Sequence, residues 1–375
     1  MQRRRFRPAV LRALVVVAGA TAVPAWLLGP ATGGSAAAQG RSLPVFEVDA
    51  AWPTVPAGMR LGAPSSIAID ADDNVWVLHR PLTLPAEQDT MAAPPVVVFD
   101  GDGNFIKAWG GPGAGYEWPQ REHGLHIDHD GFVWLGGNNC ATNGVPRVQP
   151  VNDDQVLKFT EDGTFVLQIG RSNRSQGNAD TMNVNRPSDQ QVHAPTNELF
   201  VADGYGNRRV AVFDAGTGSF KRMWGAFGDA PVEDNQCQVQ APASFPDPGP
   251  SRFNVLHAIR VSNDGIVYAA DRENRRVQAF TLDGTFVGQV ITPDAPFARN
   301  LALSADPAQQ FLYVGGNDGI VVVDRATLEI LGTLRPEGIL GTGHHIATDS
   351  RGNLYLAATG AGMQKLTFRG MSGAE

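Results

Sequence analysis

Residues 267–280 read VYAADRENRRVQAF and residues 199–213 read LFVADGYGNRRVAVF, so one pattern occurs twice in the middle of the chain. Each copy has a short apolar run with an aromatic residue, a polar turn that begins with aspartate, and a second run that ends in phenylalanine. Short alternating apolar runs broken by turn residues are typical of antiparallel strands. The pattern therefore predicts a repeated strand–turn–strand unit.

The aromatic-centred strand recurs six times along the chain. Its centres are Trp76, Trp134, Phe200, Tyr268, Tyr313 and Tyr355. An alternating segment precedes each centre, and in four repeats a glycine-containing turn leads from the second run into a further strand, which makes four strands per repeat. Six such repeats predict an all-β, six-bladed β-propeller. The sixth repeat ends near Phe368, and residues 46–52 are expected to supply its missing strand and so to close the ring from the N-terminus.

The first 38 residues are predicted to be a signal peptide. Five arginines from Arg3 to Arg12 form a basic start, residues 13–28 are apolar, and residues 36–38 are three alanines that offer a cleavage site. The Arg-Arg-Arg-Phe start leaves both general and twin-arginine export open. Residues 39–375 are then expected to be one propeller domain, periplasmic or secreted, with no membrane segment after signal removal.

The composition excludes several classes of protein. A chain of 375 residues that is 42% hydrophobic and 18% charged can bury a large core. Its formal net charge of −8 argues against nucleic acid as a partner. The two cysteines, Cys140 and Cys237, are too few for a disulfide scaffold or for a zinc site made of three or four thiolates. Whether they pair with each other stays open.

Three of the eight histidines occupy the same place in their repeats. His123, His257 and His344 each precede the aromatic centre of their repeat by 11 residues. They belong to repeats two, four and six, which are about 120° apart in a six-bladed ring, and they begin the strand that lines its channel. Three neutral imidazoles with an open fourth position are typical of a catalytic zinc site. The alternative is three channel histidines that bind only water.

Two other groups of residues bear on this site. His345 is one residue out of step and is expected to point the other way along its strand, while His129 and His193 are expected on a turn surface and in a solvated hairpin loop. The turns on the same face as the three histidines carry Arg80, Tyr205 and Arg272.

The side chains on these turns have a chemistry that suits a carboxylate substrate. Arginine binds carboxylates through two parallel hydrogen bonds, and a positioned phenol can act as a base. The alternatives are that Arg272 forms an ion pair with Asp271 or Glu273 and that Tyr205 only packs.

These segments resemble known families. The Asp…Asn-Arg-Arg-Val pattern is similar to the NHL repeat. A more specific resemblance is to the peptidyl-α-hydroxyglycine α-amidating lyase family, a zinc-containing six-bladed NHL propeller. The segments that carry it are His79-Arg80, His123-Gly124-Leu125, Asp203-Gly204-Tyr205, His257-Ala258-Ile259, Asp271-Arg272-Glu273-Asn274 and Gly343-His344.

The resemblance implies a role for each site residue. It places zinc on His123, His257 and His344, catalysis on Arg80 and Tyr205, and substrate binding on Arg272. The reaction that it implies is cleavage of an N-acyl-α-hydroxyglycine, a small or peptide carboxylate, to an amide and glyoxylate.

The chain departs from the family at two positions. The family's structural calcium would use the carbonyls of Ile67 and Leu125 and a carboxylate just after the third histidine, where this chain has His345, which counts against calcium. Gly206 stands where the family has a disulfide-forming cysteine.

Two other functions stay open on the sequence. One is a different metal-dependent propeller lyase or hydrolase that acts on a small carboxylate. The other is a non-enzymatic NHL binding propeller, in which any metal would be structural. Bound metal separates the enzymes from the binding protein, and release of glyoxylate separates the two enzymes.

Overall fold

The computed structural model describes residues 42–233, 248–292, 298–316, 319–341 and 343–372. Within these ranges the chain forms 24 strands in six four-stranded antiparallel sheets, the blades of a propeller. The helical elements of the described ranges are four short 3₁₀ turns, at Pro81–Thr83, Ala86–Met91, Ala194–Thr196 and Ala226–Gly228. The prediction of an all-β, six-bladed propeller is confirmed.

Each of the first five blades consists of four consecutive strands, numbered from the channel outward. Blades 1 to 3 contain β2 (Ala63–Ile69), β3 (Val75–Arg80), β4 (Val96–Phe99), β5 (Phe105–Trp109); β6 (Glu122–Ile127), β7 (Val133–Gly137), β8 (Gln155–Phe159), β9 (Phe165–Gly170); and β10 (Asp189–His193), β11 (Glu198–Asp203), β12 (Arg209–Asp214), β13 (Phe220–Trp224). Blades 4 and 5 contain β14 (Leu256–Val261), β15 (Ile266–Asp271), β16 (Arg276–Thr281), β17 (Phe286–Ile291); and β18 (Asn300–Leu303), β19 (Phe311–Gly315), β20 (Ile320–Asp324), β21 (Glu329–Leu334).

The sixth blade combines strands from both ends of the described chain. Its inner strands are β22 (His345–Thr348), β23 (Leu354–Ala358) and β24 (Gly362–Met371). Its outer strand is β1 (Pro44–Asp49), which pairs antiparallel with β24 and sets Phe46 opposite Phe368. The last residues of the segment 46–52 lie beyond the strand, where Ala50 and Ala51 form a turn.

The aromatic centres of the repeats fill the core between neighbouring blades. Trp134 of blade 2 packs in one cluster with Val201 of blade 3, and Tyr268 of blade 4 packs with Leu312 of blade 5. Tyr355 of blade 6 packs in the same way with Val77 of blade 1. Because each large side chain is buried against the next blade, its hydrophobic stabilisation, roughly 1.5–3 kcal/mol for a fully buried side chain, acts between blades.

The aspartate and arginine of the NHL-like pattern brace the turns of blades 3 and 4. Arg209 Nε donates to Asp203 Oδ2 at 2.8 Å, and Arg276 Nε donates to Asp271 Oδ2 at 2.8 Å. All four side chains are almost completely buried. These ion pairs hold the base of the two turns that carry Tyr205 and Arg272.

Candidate metal centre

The three histidines of blades 2, 4 and 6 meet at one end of the central channel. His123 lies in β6, His257 lies in β14, and His344 immediately precedes β22. Their ring centroids are 4.5 to 5.0 Å apart, and one nitrogen from each ring lies within 4.8 Å of the other two. The structure thus brings together the three residues that their common spacing singles out.

A local irregularity of the innermost strand presents two of the three histidines. The β6–β7 register shifts between Glu122 and Leu125, and the β14–β15 register shifts between Leu256 and Ala258, so His123 and His257 lie at bulges. A bulge turns a side chain out of the regular alternation of a strand. His344 lies just before β22, so all three histidines are at or beside the start of an inner strand, which explains why one spacing in the sequence gives one height in the channel.

The outer nitrogen of each imidazole is fixed by the neighbouring blade. Each Nδ1 lies 2.5 to 2.7 Å from a main-chain carbonyl oxygen, and because a carbonyl can only accept, each ring must carry its proton on Nδ1. The pairs are His123 with Ser188, His257 with Arg299, and His344 with Ser65. This tautomer leaves the Nε2 lone pair of each ring available as a ligand.

Burial keeps the three rings uncharged. The pKa of each of His123, His257 and His344 lies well below the usual range, first because the ring is buried and second because the other histidines and nearby arginines repel a proton. Three neutral imidazoles with fixed tautomers are a suitable donor set for a transition-metal ion. The three histidines can therefore hold a metal ion in this structure.

Tyr205 lies across the open side of this cluster. Its hydroxyl oxygen is 3.1 Å from His123 Nε2 and 3.2 Å from His257 Nε2, and Arg272 donates a hydrogen bond of 3.0 Å to it. Gly206 follows because a side chain has no room there: a Cβ would lie 2.0 Å from Asn185 Oδ1.

Arg272 forms both contacts that the sequence offers as alternatives. Its guanidinium pairs with Glu273 at 2.8 Å, and it also bonds the Tyr205 hydroxyl and lies 5.4 Å from the centre of that ring. The Arg272 side chain is 18% exposed, so it is largely buried but still accessible to a ligand from solvent. Arg276, in contrast, is a purely structural partner of Asp271.

Arg80 ends β3 and is buried beside the cluster. Its Nε donates to the Glu122 carbonyl at 2.8 Å, while one terminal guanidinium nitrogen is buried with no hydrogen-bond partner within the described part of the chain. Burial, and after it the charge of Arg121, lowers the pKa of Arg80 to about 10, so the group is still a cation at neutral pH. A buried unpartnered donor is costly, and a carboxylate oxygen would satisfy it.

The expectation for His345 is wrong. Its ring lies 5.2 to 5.8 Å from the three histidine rings, fully buried, with neither nitrogen hydrogen-bonded in the described structure. Alternation along a regular strand does not apply here, because β22 begins only at His345 and His344 lies before it. His345 therefore forms the floor of the cluster, and its Nδ1 is 3.9 Å from Asp189 Oδ1.

An arginine takes up the space below this floor. Arg260 donates to Asp189 Oδ2 at 2.6 Å and to the Ile259 carbonyl at 2.5 Å. It also lines a cavity of about 210 Å³ together with Ile67 and Leu125, and the described lining of that cavity contains no carboxylate. These residues do not fit the calcium ion that the family resemblance implies, since the nearby carboxylate already has a cationic partner.

His129 and His193 lie away from the cluster. His129 is an exposed turn residue, as expected, and lies 3.5 Å from Asp130. His193 is not in a solvated loop: it ends β10, is 7% exposed, and its Nδ1 is 2.9 Å from the Thr196 hydroxyl. The isolated hairpin sequence gives no sign that this loop packs against the blade.

The connection between β3 and β4, which follows Arg80, contacts the connection between β7 and β8. Arg147, from the connection between β7 and β8, forms two hydrogen bonds of 2.6 Å with Asp89, from the connection between β3 and β4. Cys140, in the connection between β7 and β8, is disulfide-bonded, and Cys237 lies outside the described residues.

The predicted signal peptide, residues 1–38, also lies outside the described residues. Among the residues that the structure describes, none of the helices has the length and apolar character to cross a membrane.

Sequence comparison gives relatives of two kinds. The mouse peptidyl-glycine alpha-amidating monooxygenase is 27% identical over 342 residues, covering 83% of this chain and 31% of that protein. A Caenorhabditis elegans protein described as a probable peptidyl-alpha-hydroxyglycine alpha-amidating lyase is 32% identical over 161 residues, covering 42% of this chain and 36% of its own length. The chain is a homologue of the amidating enzymes. The mouse NHL repeat-containing protein 3 is 25% identical over 254 residues, covering 65% of this chain and 59% of that protein.

These matches set the limits of the comparison. The chain spans about a third or less of the amidating monooxygenases that it matches. No protein-family profile matches it. A solved streptogramin B lyase superposes with a TM-score of 0.52 at 14% identity, covering 86% of this chain and 98% of that structure, and supports the fold alone. The resemblance to NHL propellers and to the amidating lyases is confirmed at the level of homology.

Proposed function

We propose that this protein is a zinc-dependent carbon–nitrogen lyase that cleaves an N-acyl-α-hydroxyglycine to an amide and glyoxylate. The observation that carries the proposal is the arrangement of His123, His257 and His344, neutral and fixed through Nδ1, with the Tyr205 hydroxyl and two arginines around their open side. Homology to proteins named as amidating enzymes supports the reaction.

The donor set favours zinc as the metal. Zinc commonly takes three protein ligands in catalytic sites, and imidazole nitrogens are among its preferred donors. Nitrogens on one tetrahedral zinc ion at about 2.1 Å are roughly 3.4 Å apart, so side-chain shifts of about 1 Å would close the present set. Zinc bound there would polarise the substrate hydroxyl and lower its pKa.

The residues around the cluster supply the remaining chemistry. In its phenolate form Tyr205 would take the proton from the substrate hydroxyl, the carbon–nitrogen bond would break as the carbonyl of glyoxylate forms, and Tyr205 would pass the proton to the leaving amide nitrogen. Arg272 donates to the Tyr205 oxygen and so stabilises negative charge on it. The unpartnered guanidinium nitrogen of Arg80 is available to the substrate carboxylate.

The substrate is accordingly a small or peptide carboxylate. Arg80 and Arg272 come from blades 1 and 4, which face each other across a six-bladed ring, so a carboxylate between them meets donors from two sides. We further propose that the protein acts outside the cytoplasm, because residues 1–38 have the composition of a signal peptide.

The decisive experiment measures glyoxylate released from N-benzoyl-α-hydroxyglycine by zinc-loaded protein, before and after chelation. We expect turnover that chelation abolishes and zinc restores. His129→Ala is the matched control, because it removes an exposed histidine away from the cluster and should leave the rate unchanged. Full zinc occupancy with no glyoxylate from any N-acyl-α-hydroxyglycine would contradict the lyase and favour another metal-dependent reaction on a small carboxylate.

A further inference from the structure

A cleft opens beside the histidine cluster between blades 5 and 6. Its volume is about 180 Å³, and its lining includes His344, Arg299, Leu340, Thr359, Gly360 and Ala361. His344 belongs both to this cleft, called here the acyl cleft, and to the proposed metal centre, so the two are adjacent. Leu340, 47% exposed, places an apolar side chain at its rim.

The position of the acyl cleft follows from the two ends of the proposed substrate. An N-acyl-α-hydroxyglycine carries its hydroxyl and carboxylate on one carbon and its acyl group across the amide. The arginines proposed for the carboxylate come from blades 1 and 4, whereas the acyl cleft belongs to blades 5 and 6. When the substrate hydroxyl lies at the histidines and its carboxylate lies at the arginines, the acyl group can extend into the acyl cleft without competing for either site.

Small residues make the acyl cleft accessible. Gly316, Gly341 and Gly360 line it with main chain instead of side chains. A Cβ added at Gly360 would meet no atom within 4 Å, and this glycine is not in the left-handed region. Gly343 differs, since its φ is +74° and an added Cβ would lie 2.9 Å from the His345 carbonyl oxygen. The backbone conformation therefore requires glycine at Gly343. At Gly360 neither the backbone conformation nor a neighbouring atom excludes a larger side chain.

We infer that the acyl cleft binds the acyl-amide half of the substrate and that Gly360 sets the size of the acyl group accepted. This inference rests on the proposed function. A cleft of this volume is smaller than the roughly 300–1,000 Å³ of sites that enclose drug-sized ligands. It suits a short acyl group, or the last residue of a peptide whose remainder stays in solvent.

The test compares a small and a bulky acyl group in the full-length zinc-loaded protein. Gly360→Ala and Gly360→Leu narrow the acyl cleft in steps without backbone strain. We expect Gly360→Leu to lower kcat/KM for N-benzoyl-α-hydroxyglycine by about 10–200-fold, the range for a crowded apolar pocket. The rate with N-acetyl-α-hydroxyglycine should change less than about threefold, and the zinc content should not change.

The matched control is Gly216→Leu. Gly216 lies in the turn between β12 and β13, at the other end of the blades, where an added Cβ would make only ordinary contacts, the nearest at 3.4 Å. This variant should alter the rate with neither substrate. Equal loss of both substrates in Gly360→Leu, or no loss of either, would contradict the inference.

Calorimetric titration with N-benzoylglycine and N-acetylglycine separates this inference from the proposed reaction. These ligands carry the carboxylate and the acyl group but have no hydroxyl to react. We expect Gly360→Leu to weaken binding of the benzoyl compound selectively. If Gly360→Leu binds the benzoyl compound selectively more weakly but the wild-type protein turns over no substrate, the lyase proposal is contradicted and the acyl cleft is supported. If the wild-type protein turns over substrate but Gly360→Leu weakens binding of neither compound selectively, the acyl cleft is contradicted and the lyase proposal is supported.

Discussion

Two neighbouring layers of the central channel, called here its upper and lower ends, are built for cations in opposite ways. At the upper end, His123, His257 and His344 present neutral nitrogen donors, and the cation must come from solution. At the lower end, the buried carboxylate of Asp189 already has a cation, because Arg260 lies 2.6 Å away. His345 lies between the two layers and contributes no formal charge, since burial lowers its pKa to about 3.

This difference separates activity from stability. In the proposed function a metal at the upper end would be exchangeable and would serve chemistry, whereas the cation at the lower end is the side chain of Arg260 and serves the fold. Removal of metal should therefore abolish activity while the propeller persists.

The largest effect is expected at the upper end from Tyr205→Phe. Loss of the hydroxyl removes the proposed base but no ligand of the metal, so kcat should fall by roughly 10²–10⁴. Zinc content and the thermal unfolding midpoint should be unchanged. Steady-state release of glyoxylate measures the first quantity, and an unaltered rate would reduce Tyr205 to a packing residue.

At the lower end, Arg260→Met should cost stability instead of chemistry. It leaves the Asp189 carboxylate buried without its partner, a change that destabilises by about 3–5 kcal/mol. Urea unfolding measures the loss, and adding Asp189→Asn to the same protein should recover most of it. If Arg260→Met unfolds at the wild-type midpoint, the ion pair does not brace the channel.

The two arginines at the upper end should differ in their kinetic effects. Lysine keeps the charge but cannot reproduce the planar fork, so Arg272→Lys should raise KM by about tenfold while zinc stays bound. Arg80→Lys should lower kcat more than it raises KM if its unpartnered nitrogen meets charge that develops in the transition state. Wild-type kinetics in both variants would mean that residues other than Arg80 and Arg272 bind the substrate carboxylate.

The smallest effect is expected from calcium. Because Arg260 already pairs with Asp189, neither added calcium nor a calcium-selective chelator should move the unfolding midpoint measurably. Scanning calorimetry of wild type in both conditions tests this. A midpoint that rises with calcium would mean that the lower channel accepts the ion after all.

The repeats explain how much of the fold could be predicted from the sequence. Each blade buries its aromatic centre against the next blade. The number and spacing of Trp76, Trp134 and their counterparts in the sequence therefore predict the number of blades. The common offset of the three histidines is informative for the same reason, since each lies at or just before the start of an inner strand.

Other features of the site leave no signal in the sequence. The carbonyls that fix the imidazole tautomers belong to Ser188, Arg299 and Ser65, and any residue has a carbonyl. Regular alternation would point His345 away from the cluster, but alternation fails where a strand begins, and β22 begins at His345. The pairing of Arg260 with Asp189 joins residues 71 apart in the chain, and only the closed ring brings them together.

The most direct test of the account is the metal content of the protein, expressed from its full-length sequence with zinc supplied and compared with His257→Ala. Elemental analysis should find close to one zinc ion per wild-type chain and should find most of it lost from the variant, while both proteins keep the circular dichroism of a β-propeller. His193→Ala, which removes a buried histidine outside the cluster, should retain full zinc. A wild-type protein that binds no metal, or a His257→Ala variant that keeps all of it, would contradict the three-histidine centre.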